Sequence, residues 1–91
     1  MKQTPTFERD YSLLKSQLEA LMGTKITVTE HKTKNKHILK RGTLSLVTDN
    51  LFVFDVPLGK AHSESCSYTF LDVRIGRVDI KEINLAANEE N

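Results

Sequence analysis

This sequence predicts a mainly β fold: a small five-stranded SH3-like or Sm-like barrel with one N-terminal α-helix. Three observations lead there. Apolar residues recur at helical spacing only in the first quarter of the chain. From Lys25 onward the repeat shortens to two, in five short runs parted by polar turns. The chain is 91 residues long, which suits one domain, 1–91, with a modest core.

The helix is expected over about residues 5–22. Phe7, Tyr11, Leu14, Leu18 and Leu21 fall at spacings of 4, 3, 4 and 3, which line one face. Thr4 or Thr6 can cap its start, Pro5 suits the first turn, and Gly23 sits where a left-handed C-terminal cap belongs. A helix this short is marginal alone in water, so its apolar face must rest on the sheet.

The barrel is expected over about residues 25–83. In the first strand, "KITVTEHK", Ile26 and Val28 alternate with Thr27 and Thr29. The polar tract 32–36 reads as a loop. In "HILKRGTLSLVT", Leu44 and Leu46 alternate with Thr43 and Ser45, and Gly42 marks a bulge or sharp bend. "TDN" at 48–50 is a tight turn. A third strand, "LFVFDV", stops at Pro57, and "PLGKAHSES" is a polar connection. The fourth strand, "SCSYTF", sets Cys66, Tyr68 and Phe70 against Ser65, Ser67 and Thr69. "LDVRIG" then turns through Gly76, and "RVDIKEI" makes a fifth strand with Val78 and Ile80 inward. The tail, 84–91, has no core-facing pattern and reads as loose. An open meander with the helix across its face is the alternative; the bend at Gly42 and the short turn after Phe70 favour closure.

Charge is nearly balanced overall, at +1, but unevenly placed. Residues 25–41 hold six basic side chains against Glu30 alone, whereas 42–91 hold four basic against eight acidic. Such a gradient can orient a partner or a second copy of the chain, so a homodimer stays open. Cys66 is the only cysteine, which excludes an intrachain disulfide and points to a reducing cytoplasm. The first ten residues lack the apolar core of a signal peptide, and the longest apolar run, "LFVF", is four residues. A cytoplasmic protein with no membrane contact is expected.

The strongest candidate site is the basic stretch "HKTKNKHILKRG", 31–42. Lys32, Lys34, Lys36, Lys40 and Arg41 can project toward an acidic protein surface or a polyanion. Against nucleic acid stands the lack of interleaved aromatics for base stacking. The plain alternative is a solvated hairpin whose lysines block edge-to-edge aggregation. Tyr68 and Asp72 read as architecture. A buried phenol requires a partner for its hydroxyl, and a carboxylate at a strand exit accepts turn N–H groups. Gly42 joins them as a structural residue.

No catalytic residue is assigned. Cys66 with a histidine would be the minimal nucleophile–base pair, but it lies on an apolar strand face, where free cysteines behave as small hydrophobes. His31, His37 and His62 lie on or near loops. His31 and His37 with Cys66 match no recognised zinc spacing, so no metal is assigned. The four glycines are isolated, so there is no phosphate loop and no cofactor.

The order "KRGTL…FVFDV…SYTFLDV" resembles the Veg family of small proteins from low-GC Gram-positive bacteria. The features that carry it are "GTKITV" after the helix, "RGTL" opening the second strand, an aromatic-aliphatic third strand, and Ser67, Tyr68, Asp72 and Val73. It runs from roughly Leu14 to Ile83. The resemblance implies an SH3-like barrel, no enzymatic activity, and promotion of biofilm formation by relieving a transcriptional repressor. A protein partner, a transcriptional regulator or its antirepressor, follows from it. Family members often place Gly and Arg in the first hairpin, where this chain is rich in Lys, a hydrated point charge without the planar fork of Arg. A nucleic-acid-binding module using the basic hairpin 31–41 is the rival function.

Overall fold

The computed structural model describes residues 11–83. Helix α1 runs Ser12–Glu19, strand β1 Lys25–Thr33, β2 Lys36–Val47, β3 Leu51–Pro57 and β4 Ser63–Thr69, followed by helix α2, Phe70–Arg74, and strand β5, Val78–Ile80. Phe7, the expected caps Thr4 and Thr6, Pro5 and the tail 84–91 lie outside the described residues.

The strands form one antiparallel sheet in the order β4-β3-β2-β1-β5. Strand number, the bend and most of the alternation agree with the sequence; Leu46, read on the face of Leu44, is exposed because the ladder shifts register between them. Closure does not agree: β4 and β5 are the two edges, and among the described residues no backbone ladder joins them. The expected closed barrel is therefore an open, folded sheet. Three residues of β5 are too few to bridge the gap, since each edge strand is held by its inner neighbour alone.

The bend comes from β2. Its first half pairs with β1, from Lys25↔Thr43 to Thr33↔Lys36, and its second half pairs with β3, from Thr43↔Asp55 to Val47↔Phe52. The two ladders meet at Thr43, beside Gly42. A Cβ on Gly42 would collide with the backbone carbonyl of Asp55, so only glycine lets β3 cross there. A second irregularity at Ser45, whose hydroxyl donates to the Val53 carbonyl, adds to the twist.

Folding the sheet gathers Leu18, Ile26, Val28, Leu44, Phe52, Phe54, Cys66, Phe70, Val78 and Ile80 into one buried cluster. Helix α1 contributes Leu18 to it and packs Leu14 against it, with Tyr11 and Leu21 from the flanking residues. The helix ends at Glu19 with Ala20 as a right-handed C-cap, short of the expected residue 22, so Gly23, with φ of 81°, closes the turn that follows rather than capping the helix. The Gly23 N–H then donates to the Leu44 carbonyl, and the Leu44 N–H to the Thr24 carbonyl, tying the helix exit to β2.

The segment after Thr69 corrects the sequence reading. It is a short helix, α2, rather than a plain turn. Thr69 accepts from the Asp72 N–H through its hydroxyl, while the Asp72 carboxylate accepts from the Thr69 N–H, which makes a reciprocal capping box. Asp72 thus does the backbone work expected of it, on a helix. Strand β5 is likewise shorter than expected, because the chain turns helical at Lys81. No helix among the described residues is long and apolar enough to cross a membrane.

Candidate functional site

The β1–β2 hairpin projects beyond its neighbours. Strand β5 reaches only Val28, Thr29 and Glu30, and β3 begins pairing with β2 only at Thr43, so the chain between Thr33 and Leu39 has no flanking strand on either side. Its turn is just Lys34–Asn35, not the five-residue loop expected. This tighter turn sets the register, and the register decides which basic side chains share a face.

They divide. Val28 pairs with Lys40 and Glu30 with Ile38, so Lys40 lies on the core side with Glu30. Thr27 pairs with Arg41 and Thr29 with Leu39, which puts Arg41 and Leu39 on the outer face. Lys34 and Lys36 stand exposed at the tip. The five candidates are not one patch. Lys34, Lys36 and Arg41 are exposed and, among the described residues, form no ion pair with a carboxylate. Leu39, 67% exposed, adds an apolar element beside Arg41.

Lys32 and Lys40 instead serve an internal contact. The Tyr68 hydroxyl on β4 donates to Glu30 Oε1 on β1 at 2.7 Å, spanning the folded sheet where no ladder does. Lys32 Nζ stands 3.7 Å from Glu30 Oε2, and Lys40 Nζ sits 5.5 Å from the Tyr68 ring centroid. The Tyr68 hydrogen bond, helped by Lys32, Lys40 and Arg77, holds the Glu30 carboxyl below its ordinary value. Burial, then the bond to Glu30, raises the Tyr68 phenol. Hydrogen bonding to Tyr68 raises Lys40 despite its loss of hydration. The expected hydroxyl partner of Tyr68 is therefore Glu30, a residue that sequence reasoning passed over.

Two consequences can be measured. Tyr68→Phe removes the donor and should cost about 1–3 kcal/mol in chemical denaturation. Because the folded carboxyl of Glu30 titrates below the ordinary range of a free glutamate, its contribution is fully present above that range and fades as pH falls through the lower folded pKa. The Tyr68→Phe protein should show a shallower loss of stability across that acid window; an unchanged slope would contradict the contact.

On the outer face the same register brings together residues that the sequence scattered. His31 and His37 are direct cross-strand partners, with their Nδ1 atoms 2.7 Å apart. His31 Nε2 lies 2.7 Å from Asp79 Oδ2 on β5. Placing the turn at Lys34–Asn35 would have revealed the pairing, because residues three before and two after it then face each other. Nearby, Glu82 accepts from the Thr27 N–H and hydroxyl, extending the β5 edge by a side chain. Among the described residues no group of three or more His, Cys, Asp and Glu is placed to hold a metal. Cys66 is buried in the core, consistent with a packing role. A groove is lined by Gln17 of α1, Ala20 and Leu21 just after it, and Glu82 and Ile83 just after β5.

With this geometry in place, comparison with known proteins settles the family. A family model described as "Biofilm formation stimulator VEG" matches residues 10–81. The chain belongs to this family. The match takes in the whole described sheet, both helices and the hairpin, so the VEG-family relationship concerns the entire fold and not an isolated motif. No curated protein matches the chain. Within the VEG family the description is of a stimulator of biofilm formation and names no reaction.

Proposed function

We propose that this VEG-family chain is a non-enzymatic regulator that stimulates biofilm formation by binding a protein partner and relieving a transcriptional repressor in the cytoplasm. The observation that carries the reading is the hairpin. It stands clear of both neighbouring strands and presents Lys34, Lys36 and Arg41 with exposed Leu39. Cations beside an aliphatic side chain suit an acidic protein surface with an apolar spot. The Tyr68–Glu30 hydrogen bond spans the folded sheet where no ladder does, and helps hold the base of the hairpin.

Nucleic acid fits less well. Among the described residues every Phe is buried and both Tyr are half-buried, which leaves no fully exposed Phe or Tyr ring for stacking. Lys32 and Lys40 are also committed to Glu30 and Tyr68. Self-association through the exposed edge of β4 remains part of the proposal as a route to presenting two hairpins.

The test uses a triple variant, Lys34→Glu, Lys36→Glu and Arg41→Glu, that leaves the Glu30–Tyr68 contact intact. Its circular dichroism and melting should match wild type. Capture of the cytosolic partner in a pull-down should be lost from the variant and, for wild type, should survive nuclease. Capture by the variant, or nuclease-sensitive capture by wild type, would overturn the proposal.

A further inference from the structure

The outer face of the hairpin carries an arrangement that the regulatory reading does not use. Cross-strand pairing puts the Nδ1 atoms of His31 and His37 2.7 Å apart, their rings nearly perpendicular at 85° with centroids 4.7 Å apart. Two imidazole nitrogens at that distance require one proton between them. His31 Nε2 donates to Asp79 Oδ2, so in neutral His31 the Nδ1 is a lone pair, and the proton between the rings belongs to His37 Nδ1.

We propose that His31 and His37 form a two-imidazole site for a borderline divalent transition metal, Zn²⁺ being the ion chosen as probe, with Asp79 as the positioning residue. Three features support it. Both Nδ1 atoms already stand face to face at 2.7 Å. The carboxylate on the far nitrogen of His31 is the arrangement that fixes tautomer and ring orientation at histidine metal sites and raises ligand basicity. Both imidazoles are reachable, His31 being 32% exposed and His37 exposed at the hairpin surface. Tetrahedral zinc with Zn–N bonds of 2.0–2.1 Å holds its nitrogens about 3.3 Å apart, so the nitrogens must part by about 0.6 Å and the rings turn to point both lone pairs at the ion.

Binding exchanges one bond for two. The His37 Nδ1–H···Nδ1 hydrogen bond is lost, the proton of neutral His37 moves to Nε2, and both Nδ1 lone pairs ligate the ion. The electron pairs come from nitrogen alone, so no oxidant or reductant is involved. Two protein donors leave the remaining positions of a tetrahedron to water, or to a carboxylate or imidazole from a partner. Nitrogen donors select zinc-like ions over magnesium or calcium.

The experiment is calorimetric titration of the full chain with Zn²⁺ and separately with Mg²⁺, paired with ¹⁵N NMR of the imidazoles. The expected result is one Zn²⁺ per chain, no Mg²⁺, and a His37 tautomer change from Nδ1–H to Nε2–H. His31→Ala and His37→Ala should each lose binding, Asp79→Asn should weaken it about 10–100-fold, and His62→Ala should leave it unchanged. Circular dichroism confirms that each variant is folded. Absence of saturable Zn²⁺ uptake, uptake that survives His37→Ala in a folded protein, or an unchanged His37 tautomer on binding would overturn the site.

Discussion

The Gly42→Ala variant is expected to lose about 3 kcal/mol or more of folding stability, a large share of what a domain this size has. The added methyl meets the Asp55 carbonyl carbon and oxygen and crowds the Val56 nitrogen. These are backbone atoms of β3, and β3 is held by β4 along its whole length, from Leu51↔Thr69 to Pro57↔Ser63. The obstacle cannot swing aside as a flexible side chain would. Relief requires β2 and β3 to part where their ladder begins, at Thr43↔Asp55, and the fold depends on that junction. Urea denaturation should show a lower midpoint, or no folded baseline. A wild-type midpoint would mean that the crossing at Gly42 is loose.

Phe52→Ala is expected to cost about 3–5 kcal/mol. Phe52 is fully buried and stands at the centre of the aromatic cluster, with ring centroids 6.0 Å from Phe54, 6.3 Å from Tyr68 and 6.5 Å from Phe70. Its ring therefore touches β3, β4 and α2 together. A cavity there cannot be refilled by one rotamer change, because its walls belong to three elements. It also removes the surface on which Tyr68 lies, so the reach of its hydroxyl to Glu30 should loosen as well. Urea titration should show a fall in midpoint with little change in slope. A loss under 1 kcal/mol would show that the aromatic rings repack freely.

Much of this architecture was legible in the residues, and the exceptions share a cause. Alternation placed Ile26, Val28, Leu44, Cys66, Val78 and Ile80 inward, because burial of one sheet face imposes a period of two. Gly42 announced a crossing, and Gly23 a left-handed turn, though one that follows the helix rather than caps it. Phe70 is inward as read, but it opens a helix rather than ending a strand: a single turn has too few residues for a period, and its signal was the capping pair Thr69 and Asp72. Closure failed for a different reason. Whether two edge strands meet depends on their lengths and on where the chain turns, and β5 ends early as Lys81 begins a helical turn.

The candidate site was legible as a basic stretch but not as a surface. Counting charges along the chain put Lys32, Lys34, Lys36, Lys40 and Arg41 together. In a hairpin, neighbours along the chain point to opposite faces, and the tight turn at Lys34–Asn35 sends Lys40 toward Glu30 and Arg41 outward. The same turn brings His31 to His37, six residues apart, and Tyr68 reaches Glu30 across 38 positions. Contacts fixed by register become visible only once the turn is placed.

The most direct test of the regulatory account is biofilm formation in the parent organism with its own copy of the protein replaced by the Lys34→Glu, Lys36→Glu, Arg41→Glu form. At equal cellular abundance of folded protein, biofilm should fall to the level of a strain lacking the protein. Full biofilm with the charge-reversed hairpin would contradict the claim that this hairpin is the regulatory contact.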